Sequence, residues 1–365
     1  MWGKPPRSAP PAQARRRAFG PNGPGRRANA AGSIPLPVAR ALVYGPGMTA
    51  IAPAAPAATL ATVAVVFGAT LFASTAWFGR TLEVAGLAPP AIALYRFALT
   101  AVVLAPFVRL GPGRWTPSAW AFAAGVGMGL GWVGFVEALR LLPVAETGVL
   151  FMTYPLFTIA IAALLFAERP TGRAFLAAGL VIAAALVATP VSGEGAAPLA
   201  IALGLAAPVS YGLLLNILAR KVTGLPQLGT VATVAAGAVV GVAPLAAALP
   251  PGRIVPADGE TIALLAVFST ATALLPQLLF VRFVPRIGAV RTAMAGSVEL
   301  PTMFAIGWLA FGEPIGPGHA VAAVLILAAI AIGAVEAGRQ ASASRRDLAR
   351  GSSLRRDSCP ARRNE

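Results

Sequence analysis

Long apolar segments separated by short polar turns dominate the chain between residues 59 and 335. A helix needs about 20 mostly apolar residues to cross a bilayer, because the hydrocarbon core is about 30 Å thick and each residue rises about 1.5 Å. Ten segments approach this length, and the turns between them hold proline, glycine and charged residues that end helices. The predicted spans are 59–79, 89–108, 117–139, 143–166, 173–191, 196–219, 228–249, 260–283, 287–311 and 317–335.

A repeat of five spans is visible within these ten. Spans 4 and 9 each follow a proline-containing turn, contain a helix-breaking proline, Pro155 or Pro301, and end in Phe-X-Glu. Because five is odd, the two halves enter the membrane in opposite senses. The pattern therefore predicts an all-α integral membrane protein of ten transmembrane helices, arranged as two inverted five-helix repeats. The repeats are predicted at 59–191 and 196–336.

The spacing of charged residues supports the same repeat. Arg80 after span 1 and Arg220 after span 6 are 140 residues apart, and Glu168 and Glu313 are 145 apart. These spacings give a repeat unit of five spans.

The composition agrees with a membrane protein. Hydrophobic residues make up 57% of the chain, charged residues 12%, and the mean hydropathy is +0.75. Soluble domains carry about 25% charged residues, so the composition argues against a soluble enzyme. The single histidine, His319, and the single cysteine, Cys359, argue against a metal site, a cofactor bound through thiolates, or a triad with a histidine base.

The net charge of +16 lies mostly in two tails. Residues 1–58 contain eight basic and no acidic residues, and residues 337–365 contain eight basic and three acidic residues. Neither tail has a periodic apolar pattern, so both are predicted to be disordered. The composition of the leader makes Met48, which is followed by Thr49-Ala50, a candidate for the true start of translation.

Basic residues in short connectors predict the orientation, because cytoplasmic loops carry an excess of Lys and Arg. With the N-terminus inside, the inner connectors contain eight basic residues and the outer connectors only Arg80, Arg140 and Arg253. We therefore expect a multi-pass protein of the inner or plasma membrane with both termini cytoplasmic.

Several sequence motifs carry a family resemblance. They are LLPVAETG and FAERP around span 4, VPRIGAVR and FGEP around span 9, and ALYRFAL on span 2. These motifs resemble the two copies of the EamA domain in the drug/metabolite transporter (DMT) superfamily. The resemblance implies a ten-span inner-membrane carrier that exports or exchanges small metabolites, often with proton coupling. One departure from the symmetry is that Gly241 stands 145 residues after Arg96.

Ionisable groups inside spans are costly to bury and are therefore candidates for function. Arg96 on span 2, beside Tyr95, can hold the carboxylate or phosphate of a substrate through its bidentate fork. The alternatives are a structural ion pair with Glu137 or Glu146, or a side chain that extends to the outer surface.

Glu299 is the deepest carboxylate and a candidate for proton coupling, because a buried glutamate can load and release a proton. Arg291, eight residues earlier on nearly the same helix face, is its candidate charge partner, and simple neutralisation across a helix seam is the alternative. Glu137 and Glu146, near the outer ends of spans 3 and 4, are further proton-coupling candidates. A solvated or hairpin-stabilising role is their alternative.

Polar and aromatic residues at mid-depth complete the candidate substrate site: Trp132, Tyr154, Asn216 and Gln277. Hydrogen bonding between helices is the competing explanation for the two amides. The glycine-rich run at 125–131 lies inside an apolar span, so we interpret it as close helix packing rather than as a dinucleotide loop.

These features together predict a secondary-active transporter that exports small metabolites, such as amino acids, related compounds or drugs, by alternating access. The alternatives are a membrane-embedded enzyme and a lipid-handling protein; no enzymatic role is expected, because no nucleophile–base pair or nucleotide loop is present. The expected partners are a small-molecule substrate, the lipid bilayer and protons. No nucleic acid is expected, because the basic tails contain few aromatic residues. Oligomerisation is left open.

Overall fold

The structure, a computed structural model, describes residues 55–167, 170–188, 198–333 and 335. Helices joined by short turns make up these residues, and no strand occurs among them, which confirms the all-helical prediction for this part of the chain. The predicted disordered tails lie outside the described residues, except that residues 55–58 already belong to the first helix.

The helices are numbered here in chain order. They are α1 Ala55–Ala73, α2 Thr75–Val84, α3 Pro89–Leu104, α4 Trp115–Leu141, α5 Val144–Phe151, α6 Tyr154–Phe166, α7 Gly172–Ala188, α8 Pro198–Lys221, α9 Gln227–Ala247, α10 Gly259–Ser269, α11 Leu275–Gly296, α12 Glu299–Phe311 and α13 Pro317–Gly333. Short 3₁₀ turns cover Ala105–Phe107 and Pro251–Arg253, and a π-helical turn covers Thr270–Leu274.

Seven helical segments of the described residues are long and apolar enough to cross a membrane. Three shorter apolar helices, Gly172–Val187, Glu299–Phe311 and Pro317–Gly333, fall at the predicted fifth, ninth and tenth spans. A multi-pass membrane protein is therefore supported. The count of ten crossings and the two-repeat arrangement stay predictions.

The distribution of side chains also fits a bilayer. Large apolar side chains face outward, including Leu164 on α6 and Leu309 on α12, which are 82% and 72% exposed. Polar side chains such as Arg96, Glu146 and Asn216 are buried inside the bundle. Soluble proteins rarely expose so much contiguous apolar surface.

The boundary predicted between spans 8 and 9 differs from the structure. The chain is helical without interruption from Gly259 to Gly296, through the predicted turn at 284–286, and the break comes only at 297–298. The physical reason is that Val284-Pro285-Arg286 contains no glycine. A proline removes one hydrogen bond and bends a helix, but it does not by itself end the helix.

Both helix-breaking prolines lie just after a break in the chain's helical course. Pro155 is the second residue of α6, behind the turn at 152–153, and Pro301 is the third residue of α12, behind the turn at 297–298. A proline ring clashes with the carbonyl group four residues before it, so a new helix begins near the proline.

Packing occurs mainly between helices of the two sequence halves. Helix α4 packs along α8 and α9, α1 packs along α11, α3 along α9, α6 along α8, and α5 against α12. The inside of the bundle is therefore an interface between residues 55–188 and residues 198–333.

Glycines on α4 permit this close packing. A Cβ atom at Gly129 would lie 2.6 Å from the carbonyl oxygen of Ala238 on α9, and one at Gly131 would collide with Ser210 on α8. A Cβ atom at Gly127 would have no atom within 4 Å. The packing interpretation of the glycine run is therefore confirmed for Gly129 and Gly131.

Candidate functional site

A single arginine lies at the centre of the candidate site. Arg96, in the middle of α3, is only 3% exposed. Its guanidinium carbon lies 3.9 Å from the centre of the Trp132 ring, 5.1 Å from Phe72, 5.7 Å from Phe97 and 6.0 Å from Phe268. Because an aromatic face attracts a cation within about 6 Å, four rings stabilise this buried charge.

Most of the hydrogen-bonding capacity of Arg96 is unused. Its Nη2 donates to the carbonyl oxygen of Thr272 at 2.9 Å, whereas Nε and Nη1 are buried and have no partner among the described residues. The indole Nε1 of Trp132 is likewise buried and unpartnered within the described part of the chain. A buried unpaired donor costs about 1–3 kcal/mol, so these three nitrogens favour a solute that brings acceptor oxygens.

The carbonyl group that accepts from Arg96 lies on the π-helical turn between α10 and α11. Such turns often occur at functional sites, because they interrupt the regular hydrogen-bond ladder of a helix. Next to Arg96, the backbone carbonyl of Tyr95 accepts a hydrogen bond from Ser269 Oγ at 3.2 Å. Two bonds therefore hold α3 against the end of α10 and this turn, and Tyr95 contributes through its backbone.

Aromatic rings from both halves of the chain form a connected cluster around Trp132, the ring nearest to the guanidinium. The Phe151 ring lies 5.7 Å from Trp132, 6.0 Å from Tyr154 and 6.1 Å from Tyr211, and the two tyrosines meet edge to face at 5.1 Å. We call the following residues the aromatic cage: Phe72, Trp132, Phe135, Phe151, Tyr154 and Tyr211. Tyr211 belongs to α8, so both halves contribute to the cage.

Glu299 brings a negative charge to the same region. It is the first residue of α12, is half-buried, and interacts electrostatically with Arg96, Tyr154 and Tyr211. No ion pair within 4.0 Å joins Glu299 to Arg96 in the described part of the structure. The region of the cage therefore contains a cation, Arg96, and a carboxylate, Glu299, which interact electrostatically without direct contact.

The structural alternatives weighed for Arg96 do not occur. Glu137 pairs with Arg140 at 3.0 Å, and Arg140 also pairs with Glu83 at 2.5 Å, in a partly exposed network at the end of α4. Glu146 is buried in the first turn of α5, where its charged neighbour is Glu313. Glu137 and Glu146 are therefore not brought to Arg96.

The other predicted site residues have different surroundings. Asn216 is fully buried and donates to the carbonyl groups of Thr158 and Gly212 at 2.9 and 2.8 Å, as expected for hydrogen bonding between helices. Gln277 is half-buried on α11. Arg291 belongs to α11, and its side chain lies outside the described residues.

An ion pair between Arg80 and Glu313 is the functional candidate that the sequence interpretation missed. The two residues are 233 positions apart, and their side chains meet at 2.6 Å. The sequence by itself predicts only that Glu313 ends its span in a polar turn, with a structural role. The repeat spacing that pairs Arg80 with Arg220 and Glu168 with Glu313 was the one available signal.

Comparisons with known proteins agree with this architecture. Residues 59–189 match the EamA-like transporter family. One solved crystal structure is similar in fold, with 20% sequence identity and a TM-score of 0.53, over 77% of this chain and 98% of the other chain. A comparison with curated proteins gives no match. The match over residues 59–189 confirms, for the first half of the chain, the resemblance to EamA-like transporters that the motifs carry.

Proposed function

We propose that the protein exports small zwitterionic metabolites, such as amino acids, by alternating access, in exchange for protons. The observation that carries the proposal is the buried Arg96 guanidinium with two unpartnered nitrogens, in a cage that also faces the field of Glu299. A solute carboxylate accepts from the guanidinium in bidentate fashion. A solute ammonium group interacts with Glu299 and with the faces of the rings.

Charge balance favours a zwitterion over a simple anion. Arg96 and an ionised Glu299 together have no net charge, so a zwitterion leaves the buried site neutral. A simple anion adds an uncompensated negative charge, which is unfavourable away from water unless Glu299 takes up a proton. Protons therefore compete with a zwitterion for the site, whereas they accompany a simple anion.

Competition at Glu299 converts a proton gradient into export. On the side with the higher proton concentration, a proton binds Glu299, the ammonium group loses its partner, and the solute dissociates. On the other side Glu299 releases the proton and the next solute binds. One proton is exchanged for one solute in each cycle, provided that the site opens to the two sides in turn.

The direction of export follows from the distribution of basic residues. The connectors on the side of Arg220, including Arg109 and Arg114, carry most of the positive charge, which favours the cytoplasmic side of an inner or plasma membrane. Protons are more concentrated on the opposite side of an energised bacterial membrane, so exchange moves the solute outward.

Binding as a function of pH tests this proposal. Purified protein is titrated with phenylalanine and with 3-phenylpropionate, its analogue without the amino group, and intrinsic fluorescence is followed. Because protonation of Glu299 removes the partner of the ammonium group, the affinity for phenylalanine falls as the pH falls. The affinity for 3-phenylpropionate rises over the same range.

The arginine is tested by substitution in the same assay and in counterflow with proteoliposomes. Arg96→Gln weakens carboxylate binding roughly 100-fold, as expected for loss of a buried charged partner, and abolishes counterflow. Arg253→Gln, which changes an exposed arginine in a turn, leaves both unchanged. Normal counterflow in a folded Arg96→Gln variant contradicts the proposal.

A further inference from the structure

Arg80 joins several helix ends at one end of the bundle. Its Nε donates to the carbonyl oxygen of Leu139 at 2.9 Å, its Nη2 to that of Leu142 at 3.0 Å, and its Nη1 to Glu313 at 2.6 Å. Glu313 in turn accepts the backbone N–H of Val144 at 2.9 Å. This Arg80 cluster therefore ties together the ends of α2, α4, α5 and α12.

The geometry of the Arg80 cluster resists separation of these helices. The two charged side chains are only 23% and 12% exposed, and the Phe311 ring lies 4.8 Å from the Arg80 guanidinium. A partly buried charge that loses its partner is strongly disfavoured. The helix ends can move apart only if the charged bonds break together, so the cluster has two discrete states.

A second arginine cluster lies at the other end of the bundle. Arg220, near the end of α8, donates to Asn216 Oδ1 at 2.5 Å, and its guanidinium lies 4.4 Å from the Phe166 ring at the end of α6. Asn216 donates to the carbonyl group of Thr158 on α6 at 2.9 Å. This Arg220 cluster therefore ties α8 to α6.

The two clusters occupy matched positions in the two halves. Arg80 follows span 1 and Arg220 follows span 6, and an inverted repeat places such a pair at opposite ends. Both clusters are formed in this structure, and the cage residues between them, such as Trp132 and Phe151, are 2% and 3% exposed.

We infer that the Arg80 and Arg220 clusters are the two gates of the transport cycle, and that they open in turn. The inference rests on the proposed function for the identity of the transported solute, but the opening of the two ends does not depend on that identity. Arg80, Glu313, Asn216 and Arg220 are then positioning residues, which control access to the cage without touching the solute. Opening of the Arg80 cluster exposes the cage at that end while the Arg220 cluster stays formed.

Accessibility of a single cysteine beside the cage tests the inference directly. Thr153, which is buried next to Tyr154, is replaced by cysteine in a chain whose native Cys359 is serine. Membrane vesicles of both orientations are treated with a maleimide that does not cross the bilayer. Glu313→Gln raises the labelling rate roughly tenfold from one side, and Arg220→Gln raises it from the other side, because each variant shifts one gate toward its open state.

Matched variants separate gating from general loosening. Arg140 forms ion pairs at the same end as Arg80, and among the described residues its partners belong only to α2 and α4, so Arg140→Gln leaves the labelling unchanged. Arg80→Lys keeps the charge and is a milder gate variant if Glu313→Gln does not fold. Equal labelling from both sides in either gate variant, or faster labelling from the same side in both, overturns the inference.

The readout needs neither substrate nor protons, so its failure differs from failure of the proposed function. If each gate variant is labelled from its expected side but phenylalanine binding does not depend on pH, the assignment of the gates holds and the proposal of a zwitterionic substrate fails. If counterflow is proton-coupled but labelling is unchanged in all gate variants, the proposed transport function holds and the assignment of the gates fails.

Discussion

The neighbours of Arg96 stabilise its buried charge and leave part of its hydrogen-bonding capacity for a solute. Four aromatic rings and one carbonyl group stabilise the charge, yet the rings accept no conventional hydrogen bond from the guanidinium. The edge of the guanidinium therefore keeps two N–H-bearing nitrogens for a solute. A purely structural arginine in the same place would more commonly have an acid or several carbonyl groups as acceptors.

Glu299→Gln separates coupling from binding at the level of one residue. Glutamine has nearly the same shape but does not ionise, so a proton gradient no longer accelerates amino acid efflux from proteoliposomes. The variant binds phenylalanine more weakly, because the ammonium group has no charged partner. It binds 3-phenylpropionate more tightly, because Arg96 is no longer partly neutralised. Efflux under imposed pH gradients and fluorescence titration measure the two effects.

A matched carboxylate provides the control for this variant. Glu260 lies exposed in the first turn of α10, and Glu260→Gln leaves the pH dependence of efflux as in the unmodified protein. An unaltered response to the gradient in Glu299→Gln would remove Glu299 from proton coupling and return it to a structural role.

The sequence predicts only those site residues that are charged and lie within an apolar span. Arg96 and Glu299 stand out because charges in apolar spans are unfavourable, and the structure brings them into one electrostatic neighbourhood. The contact between Arg80 and Glu313 lies at helix ends, where charges are ordinary. Only the approach of two turns that are distant in sequence creates it.

Helix α4 shows the same limit at the scale of an element. Its glycine run predicts close packing, but not which glycines meet a partner, because that depends on the rotation of α4 between α8 and α9. The structure places Gly129 against Ala238, whereas Gly127 faces open space. Likewise, the predicted turn before span 9 is helical, because a lone proline marks a bend as readily as an end.

Alanine substitutions at these two glycines test the packing of α4. A Cβ atom at Gly129 would lie 2.6 Å from the Ala238 carbonyl oxygen, so Gly129→Ala forces α4 and α9 apart and lowers the stability by about 1–3 kcal/mol. Gly127→Ala meets no atom within 4 Å and has no such effect, or gains slightly from better helix propensity. Thermal unfolding of both variants in detergent measures the difference; equal melting temperatures contradict the packing seen here.

At the scale of the whole molecule, the described helices pack mainly across the boundary between the two halves of the chain. Helices α4, α1 and α3 pack mainly on α8, α9 and α11. A solved structure of similar fold matches this chain over 98% of its own length. Hydropathy predicts such helices well, because a bilayer requires long apolar segments, but it contains no information on how the halves face each other.

Sidedness of the turns tests the orientation on which export depends. Single cysteines at Gly252, in the turn before α10, and at Gly111, in the turn before α4, meet no atom within 4 Å and therefore fit without strain. Both variants are made in a chain whose Cys359 is replaced by serine. In intact cells, an impermeant maleimide labels Gly252→Cys at once, and it labels Gly111→Cys only after the membrane is permeabilised. The reason is that Arg109 and Arg114 predict a cytoplasmic position for their connector, because basic connectors are retained on that side. The reverse pattern would invert the molecule, and proton exchange through the same site would then drive uptake instead of export.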